Sequence, residues 1–217
     1  MEVEEIISAI EKMLNREERT ALRGLSEDSR DPFVVLIGTI LSQRTRDEKT
    51  EEAVKRLFSK FKGATELAEA SPEEVAEIIR GVGFYRSKSR RVVEVAKIIR
   101  DRYGGRVPDS MEDLLTLPSV GRKTANCVLV YGYGMDAIPV DTHVHRIANR
   151  IGLVKTRTPE ETEMRLRDVV PRKLWRKVND LFVSFGRSIC KPIGPKCESC
   201  LIKQKCDFNK KSKEKMK

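Results

Sequence analysis

The sequence predicts an all-α protein. Three observations carry that reading. Apolar residues recur at helical rather than alternating spacing, hydroxyl or Asp caps precede the apolar runs, and glycines fall where those runs end. No stretch gives strand alternation between hairpin turns, and no fixed-period repeat is visible. With 217 residues the chain is long enough for one large domain or two small ones with a real core.

The elements follow in order. Residues 2–14 place Val3, Ile6, Ile7, Ile10 and Leu14 on one helical face. In 31–43, Asp31 supplies a cap and Pro32 the first helical position; the run behind them is apolar almost all round, which predicts a central buried helix. Residues 46–61 are amphipathic. Capping boxes open three more helices: Ser71 to Glu74 opens 72–80, Ser110 to Asp113 opens 111–116, and Thr158 to Glu161 opens 159–169. A long basic amphipathic helix is predicted over 85–103, and others over 121–133, 142–150 and 173–187. Gly81, Gly83, Gly104, Gly105, Gly132 and Gly134 fit helix ends or tight turns, and a domain boundary is expected near Gly134-Met135-Asp136.

Hydrophobic residues make up 39% of the chain and charged residues 35%, a soluble globular composition with no apolar run long enough to span a bilayer. The first fourteen residues are acidic and charge-interrupted, unlike a signal peptide, which points to the cytoplasm. The net charge of +10 favours a polyanionic partner, with nucleic acid the usual one. Half of that surplus lies in Lys203–Lys217, where seven Lys face only Asp207 and Glu214; residues 208–217 read as a solvated, disordered tail.

Chemistry is concentrated in two places. The first is "LPSVGRKTANCVLVYG", residues 117–132, a short turn between two predicted helices. Such a turn is most simply an ordinary αα connection, but it can also offer backbone N–H groups at a helix N-terminus to a phosphate. Gly121, lacking a Cβ, would let another backbone come close. Lys123 lies two residues into the outgoing helix. Either it snorkels to solvent, or the dipole and the apolar face keep its amine neutral and nucleophilic. Asp141, in "VDTH", reads by pattern as the N-cap of the helix beginning at Thr142. His143 and His145 point to different sides of that helix and make a poor metal pair.

The second is Cys190, Cys197, Cys200 and Cys206, four of the five cysteines, spaced C-x6-C-x2-C-x5-C. Four thiols in a short loop-rich segment imply a metal centre rather than disulfides in a reducing compartment. Spacing alone leaves zinc and a [4Fe–4S] cluster both open, though zinc modules usually show two tight pairs and only Cys197/Cys200 is one. Cys127 reads as a small buried apolar residue.

"LPSVGRKTAN" followed by "VDTH" resembles the helix–hairpin–helix signature of the endonuclease III family, DNA repair glycosylases with lyase activity. The similarity extends through "ILSQRTRDEKT" (40–50), "GVGFYRSKSRRV" (81–92) and the terminal cysteines, covering about residues 20–206. The resemblance implies a helix–hairpin–helix glycosylase fold with two helical lobes. One is a six-helix barrel over 22–136; the other is an iron–sulfur domain made of 1–21 and 137–217. It makes Lys123 the nucleophile, Asp141 its carboxylate partner, and the four cysteines ligands of a [4Fe–4S] cluster, with DNA between the lobes. Double-stranded DNA carrying damaged bases or abasic sites becomes the partner of a monomeric enzyme. Leu117, Pro118, Ser119, Val120, Gly121, Arg122 and Lys191 become DNA-binding positions.

In that family two side chains fill the gap left by an extruded base, and by alignment these fall on Arg44 and Phe84. Here Arg44 stands where the usual residue is Gln, with Gln43 one position earlier, so either of the two is a candidate. Phe84 equally suits core packing. Ser119 replaces a common Gly and would crowd a phosphate if its φ is positive. Two other readings use the same residues: a monofunctional mismatch glycosylase, whose relatives typically lack the lysine, and a non-catalytic Fe–S DNA-binding module.

Overall fold

The computed structural model of the chain describes residues 2–14, 23–24 and 31–214. Among these there is no β-strand, and no helix is long and apolar enough to cross a membrane. The chain forms two compact units, Ala21–Met135 and a second made of Met1–Thr20 with Asp136–Lys217.

In the Ala21–Met135 unit the core is a single helix. Helix α1 (Val3–Met13) belongs to the other unit; α2 (Pro32–Ser42) is the core helix here, with Phe33 to Leu41 all buried. Its start is fixed as the sequence predicts, by Pro32 at the first position and by Asp31 Oδ1, which accepts from the Phe33 N–H at 2.8 Å. Around it lie α3 (Asp47–Lys60), α6 (Tyr85–Tyr103) and α8 (Arg122–Cys127), with α4 (Ala64–Glu69), α5 (Pro72–Ile78) and α7 (Met111–Leu115) completing the unit. Ser71 and Ser110 cap α5 and α7 through their hydroxyls, as the capping boxes predict. Helix α4 is an addition to the sequence reading. At six residues it is too short to show a period, and buried Ala64, Leu67 and Ala68 hold it in place.

The helix predicted over 121–133 is two pieces. α8 ends at Cys127, and Val128–Gly132 continues as a wider π-turn. The π-turn packs against α2, and Gly132 sits against Pro32: a Cβ on Gly132 would lie 2.9 Å from the Pro32 Cα. This glycine serves close packing rather than helix termination.

The second unit joins α1 to α9 (Thr142–Ile151), α10 (Pro159–Val169), α11 (Trp175–Ser188) and α12 (Asp207–Glu214). Ile6, Ile7 and Ile10 of α1 share one apolar core with Val144, Ile147, Leu166, Val178, Phe182 and Phe185. Each such buried side chain contributes about 1.5–3 kcal/mol. The tail is a correction. Residues predicted to be disordered from 208 onward are helical to Glu214, while 215–217 lie outside the described residues. The anchor is local: Asn209 is buried and donates to the Lys203 carbonyl at 2.9 Å, and the Phe208 ring lies 4.3 Å from the Arg150 guanidinium. Lysine content hid these two contacts.

Gly132→Ala is expected to cost about 1–3 kcal/mol by overpacking against Pro32, read as a drop in the urea midpoint with an unchanged slope.

Candidate active site

The hairpin at 117–121 is anchored from within. Leu117 and Val120 are buried, and the Val120 N–H donates to the Leu117 carbonyl at 3.2 Å. Their side chains hold the loop down, and Pro118 is half-buried beside them. Ser119 and Gly121 face outward. Ser119 has φ 63°, the left-handed region that disfavours an L side chain. Gly121 is the N-cap of α8 with φ −100°, and a Cβ there would meet no protein atom within 4 Å. Neither its backbone angles nor the protein's own packing requires a glycine. Arg122 and Lys123 follow, both half-buried, and Thr124 to Cys127 behind them are buried.

Asp141 is the N-cap of α9, as its pattern predicts. Its Oδ1 accepts from the N–H groups of His143 at 2.8 Å and Val144 at 2.9 Å. The two histidines diverge: His143 Nδ1 lies 3.2 Å from Arg146 Nη2, and His145 Nδ1 lies 2.6 Å from Thr162 Oγ1.

A second cluster in the Ala21–Met135 unit draws three turns together. Among the described residues the non-glycine positions of positive φ are Arg44 (53°), Phe84 (57°) and Ser119 (63°), one on each turn. Gln43 and Arg44 go separate ways. Gln43 Nε2 donates to the Ser119 carbonyl at 3.1 Å, whereas the Arg44 guanidinium stands 5.8 Å over the Phe84 ring. Phe84 is 65% exposed, so it is not a core residue. The sequence reading did not assign the group at the centre. Lys88, on α6, is only 7% exposed, and its Nζ donates to the carbonyls of Leu41 (2.7 Å) and Gln43 and to Thr45 Oγ1 (3.0 Å). Thr45 Oγ1 also accepts from the Gly83 N–H at 3.1 Å. Gly83 is obligatory here, because a Cβ would lie 2.5 Å from the Arg44 carbonyl oxygen. The signal was present in the sequence: Lys88 shares a helical face with Val92, Val95, Ala96 and Ile99, all buried.

In the other unit Cys190, Cys197, Cys200 and Cys206 line one pocket of about 340 Å³, open solvent included, together with Phe185, Ile202 and Phe208. None is in a disulfide. Burial, and after it the neighbouring cysteines, push the Cys197 thiol up; burial does the same for Cys200. Arg150 reaches the rim, with Nη1 3.7 Å from Cys190 Sγ and 2.7 Å from the Lys191 carbonyl. Among the described residues no three His, Cys, Asp or Glu side chains gather as a single-ion site; the thiols surround a space instead. Lys191 is exposed, while Lys203 is tied to Glu198 at 3.2 Å.

The fold and hairpin are those of a base excision repair glycosylase scaffold: residues 37–172 match the model of the HhH-GPD superfamily of base excision DNA repair proteins. Within it the chain belongs to the endonuclease III family. It is 57% identical to endonuclease III of Thermotoga maritima over 82% of this chain and 84% of that protein. A solved non-covalent endonuclease III–DNA complex aligns over 98% of this chain and 97% of its own, with TM-score 0.86 and 32% identity. A trapped endonuclease III–DNA covalent intermediate aligns over 84% and 86%, with TM-score 0.79 and 35% identity.

Burial pushes the Lys88 ammonium down to about 8, whereas an unfolded chain keeps that proton to about 10.4. Between these values the unfolded state binds more protons, so stability attributable to Lys88 rises with pH and is lost as pH falls through the folded value. Relative to Lys88→Met, the parent should gain up to about 1.4 kcal/mol per pH unit between about pH 8 and pH 10, read from urea denaturation of both proteins.

Proposed function

We propose that Lys123 and Asp141 are the catalytic residues of a bifunctional DNA glycosylase and abasic-site lyase of base excision repair, acting on oxidised pyrimidines in duplex DNA. One observation carries the reading: in a chain of the endonuclease III family, Lys123 is half-buried in the first turn of α8, two residues after the exposed Gly121 of the hairpin. Gly121 supports the DNA side of it: exposed at the N-terminus of α8, it has no Cβ to keep another backbone away. Ser119 and Arg122 belong to the same phosphate-facing hairpin, with Lys191 a further contact on the cysteine loop.

In the reaction the Lys123 amine attacks C1′ of the damaged nucleoside through its nitrogen lone pair. The C1′–N bond breaks and the base leaves with the proton that Nζ gives up; the C1′–O4′ bond then opens, O4′ taking up a proton by way of Asp141, and a protonated Schiff base forms between Nζ and C1′. The protonated imine acidifies the C2′ hydrogen; its loss expels the 3′ phosphate by β-elimination, and water then releases the sugar from Lys123. Asp141 stabilises the positive charge that develops on the sugar and relays protons. A monofunctional mismatch glycosylase would have no use for the amine.

The thiol pocket fits a [4Fe–4S] cluster held by Cys190, Cys197, Cys200 and Cys206. Burial disfavours the Cys197 and Cys200 thiolates unless iron neutralises them, and the spacing is that of the family. When bound, the cluster supplies cross-linking to a loop that has little core of its own, and presents Lys191 toward DNA. The bases and phosphates are met in the cytoplasm, where such thiols stay reduced.

With borohydride present, the parent should form a covalent adduct with damaged duplex and Lys123→Gln should form none while still binding that duplex; an adduct from the variant refutes the assignment. Asp141→Asn keeps the α9 cap and should lose under about 1 kcal/mol of stability but about 100-fold or more in turnover; Asp141→Ala should lose both. The purified holoprotein should be yellow-brown, and removal of iron should lower its melting temperature and its affinity for duplex DNA together.

A further inference from the structure

Lys88 belongs to neither the hairpin nor the thiol pocket, and it is the buried cation that the reaction does not use. It lies one helical turn beyond Phe84 on α6 and reaches across to the C-terminal end of α2. The last carbonyls of a helix have no partner within it. α2 is buried from Phe33 to Leu41, so the Leu41 carbonyl has little access to water, and the Gln43 carbonyl beyond it is part-buried. The ammonium satisfies two of the carbonyls in this segment, Leu41 and Gln43, and spends its third proton on Thr45 Oγ1. That same hydroxyl accepts from the Gly83 N–H, one residue before Phe84. The 43–45 turn and the 83–84 turn are therefore joined through one ammonium and one hydroxyl, with Arg44 O packed where a Gly83 Cβ would be.

The join matters because of what it holds. Arg44 and Phe84 both occupy the left-handed region, each at a cost of about 1–2 kcal/mol. Such conformations persist only where surrounding contacts over-determine them. Held this way, the two exposed side chains stack, guanidinium over ring, and stand out as one paired projection. Gln43, by contrast, is a strut to the hairpin at Ser119.

We propose that Lys88 is the positioning residue of base extrusion: it locks the Arg44 and Phe84 turns into one rigid projection that replaces the damaged base in the stack. This rests on the glycosylase reading above. Its consequence is separable from the Schiff-base chemistry. Removing a stacked base costs several kcal/mol of unstacking, but an abasic site has no base to remove. A loosened projection should therefore slow base release far more than it slows nicking of a site already abasic.

The test uses the iron-loaded full chain at about pH 7, where Lys88 is charged. Single-turnover rates are measured on two duplexes of the same sequence, one with an oxidised pyrimidine and one with a preformed abasic site. 2-Aminopurine opposite the lesion reports insertion. Lys88→Met, of similar length but with no donor, should lower the ratio of base release to abasic nicking about 100-fold and abolish the 2-aminopurine rise. Thr45→Val keeps the ammonium and its two carbonyls and removes the bridge together with the hydroxyl's own 3.3 Å bond to the Gln43 carbonyl, and should lower the ratio about tenfold with the cluster absorbance unchanged. Variants whose two rates fall in equal proportion, or whose 2-aminopurine rise is intact, overturn the proposal while leaving the glycosylase reading standing. A Lys88→Met protein that fails to fold leaves Thr45→Val to decide in the same way. A parent that neither releases the base nor nicks removes both readings.

Discussion

The constraint on which the Ala21–Met135 unit is built is a helix buried from Phe33 to Leu41, with only its two ends part-buried. α2 is buried along nearly its whole length, so its orphan amides and carbonyls need partners from the protein. The N-terminal end takes a carboxylate, Asp31, from the preceding residue. The C-terminal end takes an ammonium, Lys88, from a helix 45 residues downstream of Gln43. The signs match the helix dipole at both ends. Burying an ammonium is costly in itself, and three acceptors around one Nζ offset that cost. The exposed turns inherit their shape from this solution. Arg44 and Phe84 are left-handed because the chain leaving α2 and the chain starting α6 are drawn to the same ammonium and hydroxyl.

Among the described residues, backbone strain of this kind is confined to the hairpin and the two turns bonded to it. Three L-residues take positive φ, and each sits on one of three turns linked by side-chain to backbone bonds: Gln43 to Ser119, Thr45 to Gly83, Lys88 to Gln43. Glycine would relieve the strain at any of the three at once. It would also remove the side chain: the guanidinium, the ring or the hydroxyl that meets whatever approaches. Where Gly is retained, at Gly83 and Gly132, a Cβ would strike backbone, which is a packing reason and not a conformational one.

The helices were legible where caps and periods coincide. Asp31-Pro32, Ser71, Ser110 and Thr158 each begin a helix because a short polar side chain accepts a helix N–H, and the residue type alone carries that information. Short or capless pieces escaped: α4 has six residues, and α12 hides its buried Asn209 in a lysine-rich tail. The site divides in the same way. Cysteine spacing and the Asp141 cap are properties of local sequence, and both the shared pocket and the cap are found. The inward packing of Leu117 and Val120 was not legible, because membership of a hairpin says nothing about which side chains face inward. Lys88 was overlooked because it sits among Arg86, Arg90 and Arg91, where composition speaks of solvent; only its phase on α6 marks it as buried. Positive φ at Arg44, Phe84 and Ser119 left no trace in residue type at all.

Asp141 illustrates why a structural and a chemical role need not compete for one side chain. Both N–H groups it caps point to the same oxygen, Oδ1. A cap so arranged fixes the plane and direction of the carboxylate while Oδ2 takes no part in it, so the helix pre-orients the oxygen that the chemistry would use. Such pre-orientation lowers the reorganisation that a flexible carboxylate would need as charge builds on a sugar. Under the proposed function the cap would be the means by which α9 serves the reaction, as Lys88 of α6 would serve the turns at Arg44 and Phe84.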